Sequence, residues 1–181
     1  MFIYYSGHGA PDPASKGAYF VPVDADPNAL ALNGYSYNTF FKNLSQLQAK
    51  SITLVLDTCF SGASPKGELL QNRSSLYLDV SQPQVQDNRM MILTASTNEQ
   101  MATWYPDKKH GLFTYYFLKA LQGKPDEEGE KADKDNNNEL TMEEIYQYVN
   151  GKVKYMAGRL HNAEQTPQLQ GTQTHQVLVR Y

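Results

Sequence analysis

Three short, unbroken apolar runs constrain this chain more than any other feature. They are Phe2-Ile3-Tyr4-Tyr5, Ile52-Thr53-Leu54-Val55-Leu56 and Met90-Met91-Ile92-Leu93-Thr94-Ala95. Runs of this length without polar alternation predict strands covered on both faces. Between them the apolar period changes. Tyr37, Phe40, Phe41, Leu44 and Leu47 recur at i, i+3, i+4, i+7 and i+10 behind Ser36, which predicts a capped helix. A second helix is expected over Leu112–Leu121, with Phe113, Tyr116, Phe117 and Leu121 on one stripe. A third runs from about Thr141 towards Met156, with Ile145, Tyr148, Val149 and Val153 inward. Ala18–Val21 reads as an extended piece stopped by Pro22, and Gln176–Val179 as a closing strand. The stretches 24–34, 63–89 and 123–139 read as loops. Strands alternating with helices predict an α/β domain, a mostly parallel sheet flanked by helices. At 181 residues one domain accounts for the whole chain. A first strand beginning at residue 2 has no lead-in, so an N-terminal segment or chain completing the domain is expected upstream.

Composition narrows the function classes. Sixteen basic side chains against nineteen acidic give a net charge of -3, which speaks against a nucleic-acid surface. No apolar stretch approaches the roughly 20 residues that span a bilayer, and no basic region precedes an apolar one at the N-terminus. A cytoplasmic protein with no membrane partner is the expectation. One cysteine supports neither an internal disulfide nor a zinc site of several thiolates.

That cysteine follows the second apolar run, in Asp57-Thr58-Cys59-Phe60-Ser61-Gly62, and His8 follows the first, in Ser6-Gly7-His8-Gly9. Ligand sites in open α/β sheets lie outside the carboxyl ends of the strands, so both residues are expected on one rim. A thiol with an ordinary pKa near 8.5 needs a base to attack at neutral pH, and an imidazole supplies it. The adjacent glycines allow close approach of a substrate carbonyl, and the backbone amides of Gly9 and Cys59 are the candidate oxyanion donors. The plainer readings are a small buried cysteine and a surface histidine.

With these boxes the chain resembles the caspase-like cysteine peptidases, on the side of bacterial caspase homologues and metacaspases. The two catalytic residues are 51 positions apart, close to the roughly 50 of caspases. Tyr19-Phe20-Val21-Pro22-Val23-Asp24, Thr94-Ala95-Ser96 through Asn98-Glu99, and Gly111-Leu112-Phe113-Thr114 are similar to further family segments. The resemblance implies a caspase-like fold, a Cys59–His8 dyad, and a protein or peptide as substrate. It also implies substrate contacts from Asp57 and Ser96. Animal caspases have Gln-Ala-Cys-Arg-Gly around the nucleophile, whereas here an acid stands two residues before it. In metacaspases that acid lines the primary pocket, which implies cleavage after Arg or Lys. The alternative for Asp57 is a strand-end carboxylate bonding nearby backbone amides. The family also carries two strands and a second pocket acid upstream of the His box. Lys66, Arg73 and Arg89 fall in or beside the loop where related enzymes are cut, so they are either autoprocessing sites or ordinary surface residues.

One motif lies apart from this chemistry. Asp133-Lys-Asp135-Asn-Asn137-Asn138-Glu139-Leu140-Thr141-Met-Glu-Glu144 follows the spacing of a calcium-binding EF-hand loop. Asp133, Asp135, Asn137, Glu139, Thr141 and Glu144 are the candidate ligands, and Asn138 stands where glycine is usual. Thr141 to Glu144 also reads as a capping box, which would occupy Glu144 without a metal. Thiol chemistry requires no cofactor, so calcium would be structural or regulatory. Two functions are thus expected: a cysteine endopeptidase acting after basic residues, or a catalytically silent caspase-like scaffold that responds to calcium.

Overall fold

The computed structural model describes residues 1–12, 17–26, 29–58, 63–64, 67–68 and 87–181, with backbone alone at 12, 63–64 and 67–68. In chain order, β1 is Phe2–Ser6, β2 His8–Asp12 and β3 Gly17–Val21. A single helical turn, α1 (Leu30–Asn33), precedes β4 (Tyr35–Ser36) and α2 (Tyr37–Ser45). Then come β5 (Ile52–Asp57), the small hairpin β6 (Ala63–Ser64) and β7 (Gly67–Glu68), and β8 (Met90–Thr94). A second small hairpin, β9 (Trp104–Tyr105) and β10 (His110–Gly111), leads into α3 (Leu112–Ala120). The chain closes with β11 (Glu139–Thr141), α4 (Met142–His161), β12 (Gln168–Gln170) and β13 (Val177–Arg180).

The central sheet has the order β1-β5-β8-β12, with β1, β5 and β8 parallel and β12 antiparallel to β8. Every residue of β5 and β8 is buried, as unbroken apolar runs require. Their side chains alternate between two cores. Ile52, Leu54 and Leu56 of β5, with Met90 and Ile92 of β8, pack against Phe20, Tyr37, Phe41 and Leu44 of β3 and α2. Val55, Met91 and Leu93 face the other way, onto Phe113, Phe117, Ile145, Val149 and Val153 of α3 and α4. The mostly parallel α/β layering expected from the sequence is the one observed.

Two readings of the sequence need correction. β1 is not covered on both faces: Phe2 and Tyr4 are exposed. Among the described residues it is the edge strand, with β5 its only sheet partner. The closing strand expected over 176–179 is observed as β13, which pairs antiparallel with β11 outside the central sheet. The fourth central strand is instead the polar β12, Gln-Leu-Gln. The stretch 24–34, read as loop, ends in the short helix α1. Most of the 63–89 loop, with Lys66 and Arg73, lies outside the described residues. Arg89 is described and is an anchor: its guanidinium donates to Asp87 and to the carbonyls of Ser45, Leu47 and Ala49. Among the described residues, no helix is long and apolar enough to cross a membrane.

Candidate active site

The rim at the carboxyl ends of β1, β5 and β8 is built by register. Parallel pairing of β1 with β5 runs without a break from Phe2↔Thr53 to Ser6↔Asp57. One further bond extends it, from the Gly7 amide to the Asp57 carbonyl at 3.2 Å. On the opposite side of β5, the Ala95 amide donates to the Leu56 carbonyl at 3.0 Å. Gly7-His8, Asp57-Thr58 and Ala95-Ser96 therefore leave the sheet side by side.

At Gly7 the chain turns from β1 into β2, and His8 is the first residue of the new strand, opposite Val21. The hydroxyl of Tyr5 folds across this turn and donates to the His8 carbonyl at 3.0 Å. A β-carbon at Gly7 would stand 2.6 Å from that hydroxyl, so any larger residue there would have to push the Tyr5 ring aside. The imidazole of His8 is exposed, while Gly9 behind it is buried opposite Phe20. Cys59 and its amide lie outside the described residues. They follow Thr58, which is described and buried.

Asp57 is 8% exposed and tied to α3. The Thr114 hydroxyl donates to Asp57 Oδ2 and sits 2.6 Å from the Tyr4 hydroxyl. A hydroxyl has one hydrogen, so with Thr114 donating to Asp57, Tyr4 must donate to Thr114. The result is a directed chain, Tyr4 to Thr114 to Asp57. Burial pushes the Asp57 carboxyl above its ordinary value, and the hydroxyl and backbone amide of Thr114 pull it part of the way back. The N-cap of α3, Gly111, offers no side chain to the helix's free amides. Asp57 supplies that anion from the neighbouring strand, where the partial positive charge of a helix N-terminus favours it. A β-carbon at Gly111 would collide with Asp57 Oδ2, so glycine keeps the carboxylate and the helix in contact. The bond to a neighbouring amide, the alternative offered by the sequence, is part of this arrangement.

Ser96, the other expected substrate contact, is buried. Its hydroxyl donates to the Gln100 carbonyl at 3.2 Å, and its carbonyl accepts from Thr94 Oγ1. The segment around it is held by Gln165, which sequence reasoning missed. Gln165 Nε2 donates to the Ala95 carbonyl at 3.0 Å, while its Oε1 accepts from both the amide and the hydroxyl of Thr103 at 2.8 Å. The Thr103 carbonyl in turn accepts from the amide of Leu112, at the start of α3. A glutamine in the polar stretch before Pro167 carries no local signal of this role, because its partners are 62 and 70 residues away.

The acidic loop is a separate group. Carboxylate oxygens of Asp133, Asp135 and Glu144 lie within 4.8 Å of one another. The other three expected ligands are engaged nearby. Asn137 bonds Asp135 and the Glu139 amide, the Glu139 carboxylate accepts from Arg180 Nε at 2.8 Å, and Thr141 caps α4.

Crystal structures with this fold include caspase-1 from Spodoptera frugiperda, which matches with a TM-score of 0.53 at 11% identity over 94% of this chain. At that identity the likeness concerns the fold alone, and this chain spans 58% of the length of that one. No curated protein sequence matches. The family model described as the caspase domain covers residues 1–178. The chain belongs to the caspase-domain family of cysteine peptidases.

Proposed function

We propose that this protein is a cysteine endopeptidase that cleaves after arginine or lysine. Cys59 attacks the scissile carbonyl as thiolate, and His8 takes the thiol proton and returns it to the leaving amine. Water then hydrolyses the acyl-enzyme, with His8 as base. The amides of Gly9 and Cys59 receive the oxyanion, each worth about 3 kcal/mol of barrier. Asp57 pairs with the basic side chain, and Ser96 borders the bound peptide. The observation that carries this reading is the β1–β5 register with its terminal Gly7–Asp57 bond. It brings Gly7-His8 and Asp57-Thr58 onto adjacent strand ends, which supports a dyad formed with the next residue in the chain. A desolvated carboxylate such as Asp57 gains more from a guanidinium than a hydrated one would. Self-cleavage, in this reading, falls at Lys66 or Arg73 rather than at the anchored Arg89. The partners are a protein substrate and a strand-bearing segment for the open edge of β1.

Activity-based labelling of the full-length protein tests the proposal. An arginyl acyloxymethylketone should label wild type and fail with Cys59→Ala and His8→Ala. Asp57→Asn should lower kcat/KM on arginyl peptides by about 100-fold or more, the loss expected when one partner of a buried ion pair is removed. Absence of labelling in the intact protein, with and without calcium, would favour the silent scaffold.

A further inference from the structure

The acidic loop between α3 and α4 carries more than its spacing. Asp133 is 2% exposed, and only one of its carboxylate oxygens has a good hydrogen-bond partner: Oδ2 accepts from Lys131 Nζ at 3.3 Å. Oδ1 is sealed from solvent and has no hydrogen-bond partner. An orphaned anionic oxygen in such a place is costly unless a cation completes it. Lys131 Nζ meets the carboxylate only at Oδ2, so among the described residues no cation faces the sealed oxygen.

The rest of the loop converges on the same point. Asp135 and Glu144 bring their carboxylates within 4.8 Å of that of Asp133. Asn136 and Asn138 take left-handed backbone, with φ of 60° and 63°. Asn138 stands where such loops place glycine, and Asn enters that region more readily than other side chains. The capping box does not remove Glu144 from the group. Thr141 Oγ1 accepts from the Glu144 amide, and Glu144 Oε2 accepts from the Thr141 amide at 3.0 Å. The cap thus fixes Glu144 at the third helical position, where its carboxylate reaches the two aspartates. Nor is a second loop of the same kind needed as a brace, because β13 pairs with Leu140 and its neighbours from outside.

We propose that residues 133–144 bind one calcium ion through the carboxylates of Asp133, Asp135 and Glu144. The side-chain oxygen of Asn137 and the carbonyl of Glu139 complete the set. All the donors are hard oxygens, the chemistry of calcium rather than of zinc or copper. The carbonyl role leaves the Glu139 carboxylate free for Arg180, as observed. This inference does not depend on the peptidase reading.

Calorimetric titration of the full-length protein with calcium, after EDTA treatment and dialysis, tests it. One saturable site is expected, with magnesium binding more weakly. Asp133→Asn should weaken affinity at least tenfold. Glu144→Gln is the decisive variant, since glutamine also closes a capping box. It should keep the circular dichroism and melting temperature of wild type in EDTA, yet lose at least tenfold in calcium affinity. No saturable binding up to about 10 mM calcium, beyond the weakest loops of this kind, overturns the proposal. So does binding unchanged in both variants.

Discussion

A carboxylate with so little surface left in water keeps its charge only through the groups that face it, and for Asp57 those groups are on Thr114. Its raised pKa has two consequences. Between the unfolded value of 3.8 and the higher folded value, the native state binds more protons than the unfolded state. Stability therefore falls as pH rises through that window. Asp57→Asn should remove this fall, as seen in the pH dependence of the denaturation midpoint. The proposed cleavage after basic residues needs the ionised form, so its rate should decline as the solution is acidified through the folded pKa. Thr114→Val takes away the hydroxyl, one of the two groups that lower that pKa, keeps the backbone amide, and leaves the Tyr4 hydroxyl without its acceptor. We expect the acidic limb of kcat/KM to move to higher pH and the fold to lose about 2 kcal/mol. The strand ends that lead into the His8 and Cys59 boxes were legible in the sequence because each follows a local apolar run. The Thr114 link was not. It joins positions 57 and 110 residues apart, and nothing in Gly-Leu-Phe-Thr announces a cap donated by another strand.

At the scale of elements, legibility followed burial. β5, β8, α2, α3 and α4 were readable because each presents a full apolar run or stripe to a core. β12 was not, since Gln-Leu-Gln pairs with β8 through its backbone while its side chains are half-buried. β1 was misread for the converse reason: its aromatics look like core, but among the described residues it is an edge strand with one sheet neighbour, and Phe2 and Tyr4 stay exposed. The inner turn of α4 hides another relation. Lys152, 6% exposed, meets Asp126 at 2.8 Å, Glu130 at 3.1 Å and Glu128. Burial would raise the Asp126 carboxyl, but the Lys152 contact, the Tyr148 hydroxyl and the amides of Glu130 and Glu128 outweigh it and bring it down to about 2. Lys152→Met would leave the Asp126 carboxylate, 3% exposed, without its counterion. A loss of about 3 kcal/mol by urea denaturation is expected. The depressed pKa of Asp126 also stabilises wild type above the unfolded value of 3.8, a contribution that fades as pH falls towards about 2. The variant should show a shallower acid limb.

Across the whole molecule, the central sheet divides the interior into two compartments, with Leu44 in one and Val149 in the other. The intervening strands are fully buried and paired on both sides, so neither compartment can relax into the other without breaking backbone bonds. Leu44→Ala and Val149→Ala should each cost about 2–4 kcal/mol. Their double mutant should equal the sum to within about 0.5 kcal/mol, whereas Val149→Ala and Val153→Ala, in the same compartment, should not add. The molecule's tolerance of change is thereby partitioned: a lineage can remodel the helices behind the sheet while the packing under the histidine turn keeps its own account of errors.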